Sequence, residues 1–294
     1  MCRLAAAATL ALALPCAAAP ARFFVEGGGT LAIENAHTGA RASVRYRRAD
    51  GTYDPGALAR LERVFRSGDG REAPIALRLV EVLGWLQERS GGRPLVLMSG
   101  YRSPDYNAGL RARGRQVAGG SLHTEGLAAD LAFPRAALRP LWLRVRALGC
   151  CGAGYYAEEG FLHVDVGRPR FWEAATSRVD ENLSAGNARL FARTEFDRYA
   201  AGEPIAVALH ALTVPPVRLA RTATLIPERG APAAVPLAAG GEPGEGCLAA
   251  EATGAEFRVP AAPARGRARL VLRTCEPRVE RTPETVETNP IEVR

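Results

Sequence analysis

The pattern of apolar and polar residues over positions 22–175 predicts strands and amphipathic helices in alternation. Apolar residues recur at helical spacing over Ala73–Arg89, and two glycines follow at 91 and 92, as is typical where a helix ends. Helices are also predicted at Pro104–Gln116 and Pro134–Leu148. Strands are predicted at Arg22–Glu26, Thr30–Glu34, Ala42–Arg47, Leu95–Met98, Leu127–Phe133, Gly154–Ala157 and Phe161–Val166. These elements predict an α+β fold in which helices flank a small antiparallel sheet.

From about Asn182 onward the helical spacing disappears, and short alternating segments take its place. Strands are predicted at Ile205–Leu209, Val217–Leu225, Glu256–Val259 and Arg269–Arg273, with proline and glycine between them. This pattern predicts an all-β, sandwich-like domain. The polar tail from Glu276 to Arg294 is predicted to be an edge strand or irregular chain.

Length and composition fit a globular protein of two domains. The chain has 294 residues, of which 47% are hydrophobic and 23% are charged, and this excludes a disordered, collagen-like or coiled-coil chain. The predicted divisions are a signal peptide at 1–21, an α+β domain at 22–175, a linker at 176–190 and the β domain at 191–294.

The first 21 residues have the layout of a secretory signal peptide. Arg3 precedes an apolar run, and small residues follow up to Ala21, after which cleavage is predicted. The run is too short to span a bilayer, so no membrane span is expected after cleavage. A lipoprotein anchor at Cys16 is the alternative, which Pro15 disfavours because lipoprotein signals place a small residue there. The predicted location is therefore the periplasm or the exterior.

Four of the six cysteines remain after signal cleavage, and four cysteines allow three pairings. In an oxidising compartment Cys247 and Cys275 are the natural pair, because both lie in strand-like sequence. The adjacent Cys150 and Cys151 are expected to form either a vicinal bridge or two buried thiols.

Charge narrows the range of functions. All 38 basic residues are arginine, which excludes chemistry that depends on lysine. Residues 22–175 carry 22 arginines and 16 acidic residues, whereas residues 176–294 carry 15 of each. This excess suggests an anionic partner for the first domain, although an uneven distribution of solvated charge explains it equally well. No motif indicates binding to nucleic acid.

Two of the four histidines lie in segments that can form a metal site. A catalytic zinc takes three ligands from His and Asp or Glu and leaves the fourth position for water. His123 and Asp130 can converge if Gly126 turns the chain between them, and His163 can complete the set from the last predicted strand. Asp165 projects to the same face of that strand as His163.

Other polar residues of the first domain are predicted to have supporting or structural roles. Arg102 follows a predicted strand and could place a fixed cation near a reacting carbonyl. His37 and His210 are predicted to be structural. Each metal-site residue also has an ordinary structural explanation, such as a buried strand histidine or a capping aspartate, and only their combination favours chemistry.

Three motifs carry a family resemblance. They are S-G-Y-R-S from Ser99, S-x-H-x-x-G-x-A-x-D from Ser121, and F-L-H-V-D-x-G from Phe161, followed by Arg170 and Trp172. Together they resemble the zinc D-alanyl-D-alanine metallopeptidase family, and within it the YcbK-like branch of periplasmic murein endopeptidases. The resemblance covers residues 31–172 and leaves residues 180–294 uncovered.

This resemblance implies a zinc-dependent peptidase that acts on peptidoglycan stem peptides or cross-links. By motif position, the Zn²⁺ ligands would be His123, Asp130 and His163. Arg102 would bind a substrate carbonyl or carboxylate, with Tyr101 and Ser121 as supporting substrate-binding residues. The metal would lower the pKa of its bound water, and a carboxylate would act as general base.

The general base is the point at which the resemblance is weakest. Several relatives have an acid three residues before the last histidine, where this chain has Gly160. Asp165 is the first candidate because it matches the H-V-D motif, but it could instead orient a ligand. Glu159 is the alternative, ahead of Glu158. The segment Cys150–Gly152 replaces a Gly-Gly-Val-Gly pattern of the branch, which predicts a different cleft wall.

The sequence leaves three functions to compare. The leading hypothesis is an exported zinc endopeptidase that cuts murein cross-links, and its anionic substrate fits the charge of the first domain. A carboxypeptidase that trims a free D-alanine end is one alternative. A non-catalytic peptidoglycan-binding protein that keeps the metal site is the other, and the missing acid at Gly160 favours it. The C-terminal domain is a candidate module for wall targeting or protein docking.

Overall fold

The computed structural model describes residues 20–113, 120–176, 186–239, 246–262 and 265–294. Most of the predicted signal peptide, the end of the helix predicted to reach Gln116 and most of the predicted linker lie outside these residues. The domain boundaries therefore stay predictions. Over the described ranges, no helix is both long and apolar enough to cross a membrane.

In the described part of the first half, seven strands form one mixed sheet. The strands are β1 Thr30–Asn35, β2 Arg41–Arg45, β3 Leu95–Ser99, β4 Ala128–Ala132, β5 Gly152–Tyr156, β6 Phe161–Asp165 and β7 Arg170–Glu173. Their order is β2-β1-β3-β4-β6-β5-β7, with β1–β3 and β5–β7 parallel and the other neighbours antiparallel. The α+β class is confirmed, but the sheet is larger than predicted and not wholly antiparallel.

Four helices within the described ranges flank this sheet: α1 Pro55–Phe65, α2 Leu77–Arg89, α3 Pro104–Ala112 and α4 Arg135–Ala147. The sequence pattern does not predict α1, although Asp54 caps it by accepting the Ala57 N–H at 2.9 Å. Helix α2 begins four residues later than predicted, because Ala76 is extended and donates its N–H to the Gly126 carbonyl.

The segment Arg22–Glu26 is a bend and not the predicted strand. The Glu26 carboxylate accepts the N–H groups of Arg22 and Phe23 at 2.6 and 2.8 Å. These bonds satisfy two backbone donors within the bend, and the Asp197 carboxylate accepts the Phe24 N–H at 2.8 Å, so the segment needs no neighbouring strand.

The later part of the described chain is all β. Its strands are β8 Phe191–Thr194, β9 Arg198–Tyr199, β10 Ile205–His210, β11 Val217–Pro227, β12 Ala233–Pro236, β13 Ala238–Ala239, β14 Leu248–Ala250, β15 Glu256–Val259, β16 Gly266–Thr274, β17 Thr285–Glu287 and β18 Ile291–Val293. One sheet has the order β13-β15-β10-β8, and the other has β12-β11-β16-β18-β9, with β14 on β11 and β17 on β16. Residues of both sheets share one hydrophobic cluster, as in a sandwich. The polar tail is more ordered than predicted, because β18 lies between two other strands.

Two disulfides are present among the described residues. Cys247 and Cys275 are joined with a Cα–Cα distance of 6.6 Å, as predicted. Cys150 and Cys151 form the vicinal bridge, which was one of the two states that the sequence left open.

A buried ion pair joins α2 to the later chain. The Arg78 guanidinium contacts the Asp197 carboxylate and donates to the Thr194 carbonyl at 3.0 Å. Asn289 donates to the same carboxylate at 2.9 Å. Because both charges are removed from water, each depends on the other for compensation.

Arg78→Ala is expected to lower the free energy of unfolding by about 3–5 kcal/mol, because it leaves the Asp197 charge buried without its cation. The exposed pair Arg41–Glu34, 2.8 Å apart, offers a matched control. Arg41→Ala is expected to leave the free energy of unfolding nearly unchanged, because water screens that pair. Urea denaturation of the wild type and the two variants measures both changes in the free energy of unfolding. Equal losses in the two variants would contradict the larger contribution assigned to the buried pair.

Candidate metal centre

Three segments bring the predicted metal ligands together. His123 lies in the 3₁₀ turn Leu122–Glu125, directly before β4. Asp130 of β4 and His163 of β6 are register partners across the sheet. The three side chains are buried and face one another.

Gly126 makes the turn that places His123 against the sheet. Its φ is 67°, and a Cβ at this position would lie 2.2 Å from the Pro74 carbonyl oxygen. A side chain is therefore excluded by both backbone conformation and space. The turn expected at Gly126 is present.

Two of the three distances between facing atoms of the ligand triad, His123, Asp130 and His163, match those of a tetrahedral metal site. His123 Nε2 lies 3.3 Å from His163 Nδ1 and 3.4 Å from Asp130 Oδ1, and the third side of the triangle is 2.8 Å. Zinc bonds of about 2.0–2.1 Å at tetrahedral angles place two ligand atoms roughly 3.3 Å apart. The three residues could therefore hold a metal ion.

Hydrogen bonds behind each imidazole direct its other ring nitrogen toward the triad. His123 Nδ1 lies 2.7 Å from the Gly100 carbonyl, which can only accept, so Nδ1 carries the proton and Nε2 faces the other ligands. His163 Nε2 lies 3.0 Å from the Asp165 carboxylate, which leaves Nδ1 for the triad. Such partners fix the tautomer and the ring orientation of metal-binding histidines.

Arg102 holds Asp130 in place. Its Nη2 donates to Asp130 Oδ2 at 2.8 Å, and its Nε donates to Ser99 Oγ at 2.8 Å. The Arg102 N–H also donates to the His123 carbonyl at 3.1 Å. These bonds engage the Asp130 oxygen that points away from the histidines and leave Oδ1 directed toward them.

Burial and opposite charges together set the protonation of the triad. Burial lowers the pKa of His123, which keeps its imidazole neutral. Burial opposes the charge on Asp130, but the nearby histidines outweigh it and hold the pKa of Asp130 well below its usual range. Burial also opposes a charge on His163, but hydrogen bonds to Asp130 and Asp165 raise its pKa to about 9. The site therefore favours a positive charge between the two carboxylates.

Asp165 lies behind His163 and is fully buried. One of its oxygens contacts His163 Nε2 at 3.0 Å and Arg170 Nη2 at 2.8 Å, and the other accepts the Gly167 N–H at 2.8 Å. A Cβ at Gly152 would lie 2.1 Å from this carboxylate, so glycine is required beside it. Both oxygens are engaged, which favours an orienting role over that of a base.

Aromatic residues line the other side of His163. The Trp172 ring lies 5.2 Å from the imidazole, and its Nε1 donates to the Tyr156 hydroxyl at 3.2 Å. Gly154 makes room for this ring, because a Cβ there would lie 2.5 Å from it. The spacing of motifs along the sequence does not indicate that Tyr156 belongs to the site, because only the pairing of β5 with β7 brings it to Trp172.

The remaining predicted site residues lie outside the ligand triad. Glu159 is exposed in the turn between β5 and β6. Burial raises the pKa of Tyr156, and the charges of Asp130 and Glu159 add to this rise. Ser121 is buried just before the 3₁₀ turn, and Tyr101 is half-buried beside Arg102. The roles of these residues stay predictions.

The two other histidines do not belong to the triad. His37 is exposed after β1, and His210 contacts the Glu125 carboxylate at 2.9 Å. The sequence analysis did not single out Glu125, because nothing in its local pattern shows what the later chain brings to it.

Residues 26–172 match a known protein family. The matching family profile is described as "Peptidoglycan L,D-endopeptidase MepK", and it covers half of the chain. The ligand triad lies inside the matched range, whereas the β sandwich lies beyond it.

Curated relatives match over the same part of the chain. Peptidoglycan L,D-endopeptidase MepK of Escherichia coli (strain K12) is 38% identical over 145 residues, which is 48% of this chain and 79% of the relative. Probable peptidoglycan L,D-endopeptidase MepK of Haemophilus influenzae is 30% identical over 146 residues, which is 49% of this chain and 78% of the relative. No solved structure matches the chain significantly.

Proposed function

This chain belongs to the peptidoglycan L,D-endopeptidase MepK family, and we propose that it uses a zinc ion held by the ligand triad. The bond that it cuts in peptidoglycan would join an L-configured stereocentre to a D-configured one. Membership of this family favours an endopeptidase over the carboxypeptidase and over the non-catalytic binding protein. The observation that carries the zinc proposal is the triangle of buried ligand atoms, each held from behind by a second group.

Zinc is a metal that this donor set suits. Two neutral imidazoles and one carboxylate are the borderline donors that zinc takes in catalytic sites with one open position. A bound zinc ion supplies a Lewis acid and water that is activated near neutral pH. The protein's own contribution is the fixed orientation of the three ligands.

The surrounding residues hold that geometry and shape the site. Arg102 orients Asp130, and Asp165 orients His163, while Trp172 and Tyr156 form an aromatic wall beside His163. Contact of Arg102 with a substrate carbonyl, as the family resemblance implies, stays a prediction.

A general base needs an atom that is free to accept a proton within hydrogen-bond reach of the attacking water. Asp165 has both oxygens engaged with protein donors, whereas Glu159 lies exposed in the turn that follows Tyr156. We therefore assign the general base to Glu159 and an orienting role to Asp165, against the order that the motif alone favours.

We also propose that the mature protein works in the periplasm or outside the cell. The predicted signal peptide supports this location, and the two disulfides are typical of an oxidising compartment. Peptidoglycan as the substrate of the family is consistent with export.

Digestion of purified sacculi tests the proposed activity directly. The zinc-loaded protein is expected to release fragments whose masses and new ends correspond to cleavage of internal L,D bonds. A zinc chelator should stop the release, and added zinc should restore it, because the reaction depends on the metal. Release of single terminal D-alanine residues, or an unchanged rate with the chelator, would contradict the proposal.

A further inference from the structure

The carboxylate of Glu125 joins the metal-ligand turn to the C-terminal sandwich. Glu125 lies two residues after His123, and its side chain is 5% exposed. Its oxygens accept three hydrogen bonds from the later chain: His210 Nδ1 at 2.9 Å, the Ala211 N–H at 2.9 Å and Thr253 Oγ1 at 2.5 Å. His210 ends β10, Ala211 directly follows it, and Thr253 lies in the loop before β15, so two places in the sandwich hold one side chain of the turn.

A second contact joins the sandwich to the end of β6, the strand that carries His163. The buried guanidinium of Arg193 on β8 donates to the Val166 carbonyl and to the Cys150 carbonyl, the latter at 3.1 Å. Val166 directly follows Asp165, and Cys150 precedes the glycine that packs against the Asp165 carboxylate. The sandwich therefore also holds the backbone on both sides of the group that orients His163.

These two contacts are connected through the first domain. The Val166 N–H donates to the Leu127 carbonyl at 2.9 Å, and Leu127 follows the turn that contains Glu125. Phe191 and Ala211 of the later chain belong to the hydrophobic cluster of the first domain. The sandwich and the metal site thus share both polar and apolar contacts.

We propose that the C-terminal sandwich is a positioning part of the peptidase, and that Glu125 is the positioning residue through which it fixes the His123 turn. This inference rests on the proposed metal function of the triad. It gives the sandwich, which lies outside the matched family range, a role inside the molecule in place of the docking role predicted from context. Groups that hold metal ligands from behind typically change metal affinity or activity about 10- to 100-fold when they are removed.

Variants of Glu125 test this role against a matched control. Glu125→Ala removes all three bonds, Glu125→Gln keeps the size and one acceptor oxygen, and Thr253→Val removes one exposed bond. Glu203→Gln is the control, because Glu203 also accepts a bond from the first part of the chain, from Arg22 at 2.6 Å, and Arg22 is not part of the metal site.

Three readouts separate positioning from general stability. Zinc affinity is measured by competition with a chromophoric chelator, ligand geometry by the visible spectrum of the Co²⁺-loaded protein, and order of the turn by hydrogen exchange at residues 122–127. We expect Glu125→Ala to bind zinc about 10- to 100-fold more weakly, to shift the cobalt spectrum and to exchange faster in the turn. Glu125→Gln should fall between it and wild type, and Glu203→Gln should match wild type.

Every outcome decides the inference. Wild-type zinc affinity, cobalt spectrum and exchange in Glu125→Ala would overturn it, and so would equal changes in Glu203→Gln. If Glu125→Ala does not fold, Thr253→Val decides the question. A smaller change in the same direction is expected for it, and no change would contradict the inference.

A wild-type protein that binds zinc but cuts no peptidoglycan would contradict the proposed function and leave the positioning role standing. If the wild type binds no zinc, the exchange rates at residues 122–127 still decide whether Glu125 holds the turn.

Discussion

His123→Ala is expected to lose both bound zinc and peptidoglycan cleavage, with turnover reduced on the order of a thousandfold or more. The substitution removes one of three ligands and leaves Asp130 and His163 to hold the ion alone. It also leaves the Gly100 carbonyl without the Nδ1–H donor that it has at 2.7 Å. Metal content per chain and the initial rate on sacculi are measured on the same preparation.

His37→Ala is the matched control for this experiment. His37 is exposed and outside the triad, so the same substitution there should leave metal content and rate unchanged. A zinc-free His123→Ala protein that still cuts peptidoglycan would contradict the metal-dependent account. A folded circular dichroism spectrum for both variants is needed to attribute the loss to the site.

Asp165→Asn and Glu159→Gln are expected to lose different properties. The first should lose zinc affinity, and the second should lose turnover at full zinc occupancy. Asp165→Asn should bind zinc about 10- to 100-fold more weakly, because an amide holds the His163 ring less firmly than a carboxylate does. Its turnover at saturating zinc should remain near that of wild type. Glu159→Gln should keep its zinc but lose on the order of a hundredfold or more in turnover, as expected for a general base.

The reverse result would exchange the two roles. If Asp165→Asn keeps wild-type zinc affinity and loses turnover, Asp165 is the base and its hydrogen bonds must rearrange during the reaction. If neither variant loses turnover at full zinc occupancy, the base lies elsewhere, and the assignment to Glu159 is contradicted. Zinc titrations and rates at saturating zinc distinguish these results.

The ligand triad could be predicted because its information is local and periodic. Asp130 and His163 lie in motifs on two short strand-like segments, and His123 stands at a fixed spacing before a glycine that must turn. The alternation of strand side chains then determines which residues share a face. The Cys247–Cys275 pair was predictable for a similar reason, since both cysteines flank strand-like segments.

The parts that were missed depend on contacts between distant segments. Helix α1 is an exception, because its apolar face is as clear as that of α2 and its Asp54 cap is visible in the sequence. The bend at Arg22–Glu26 forms because the Glu26 carboxylate takes the backbone donors. The engagement of both Asp165 oxygens depends on Arg170 and Gly167 reaching back to it, which the H-V-D motif does not show.

The junction between the two halves was the hardest feature to foresee. Glu125 has the sequence context of an ordinary turn residue. The sequence predicts a structural role for His210 but does not indicate that Glu125 is its partner. Arg193 lies in a short strand whose pattern gives no sign that its guanidinium is buried. Such polar contacts leave no periodic trace in either segment, so only the assembled fold reveals them.

Anomalous diffraction at the zinc edge, from crystals of the zinc-loaded protein, tests the central claim most directly. The account predicts one zinc peak bonded to His123 Nε2, His163 Nδ1 and an Asp130 oxygen at about 2.0–2.1 Å, with a fourth position open to solvent. A peak located elsewhere, or no peak between these three side chains at full zinc loading, would contradict it.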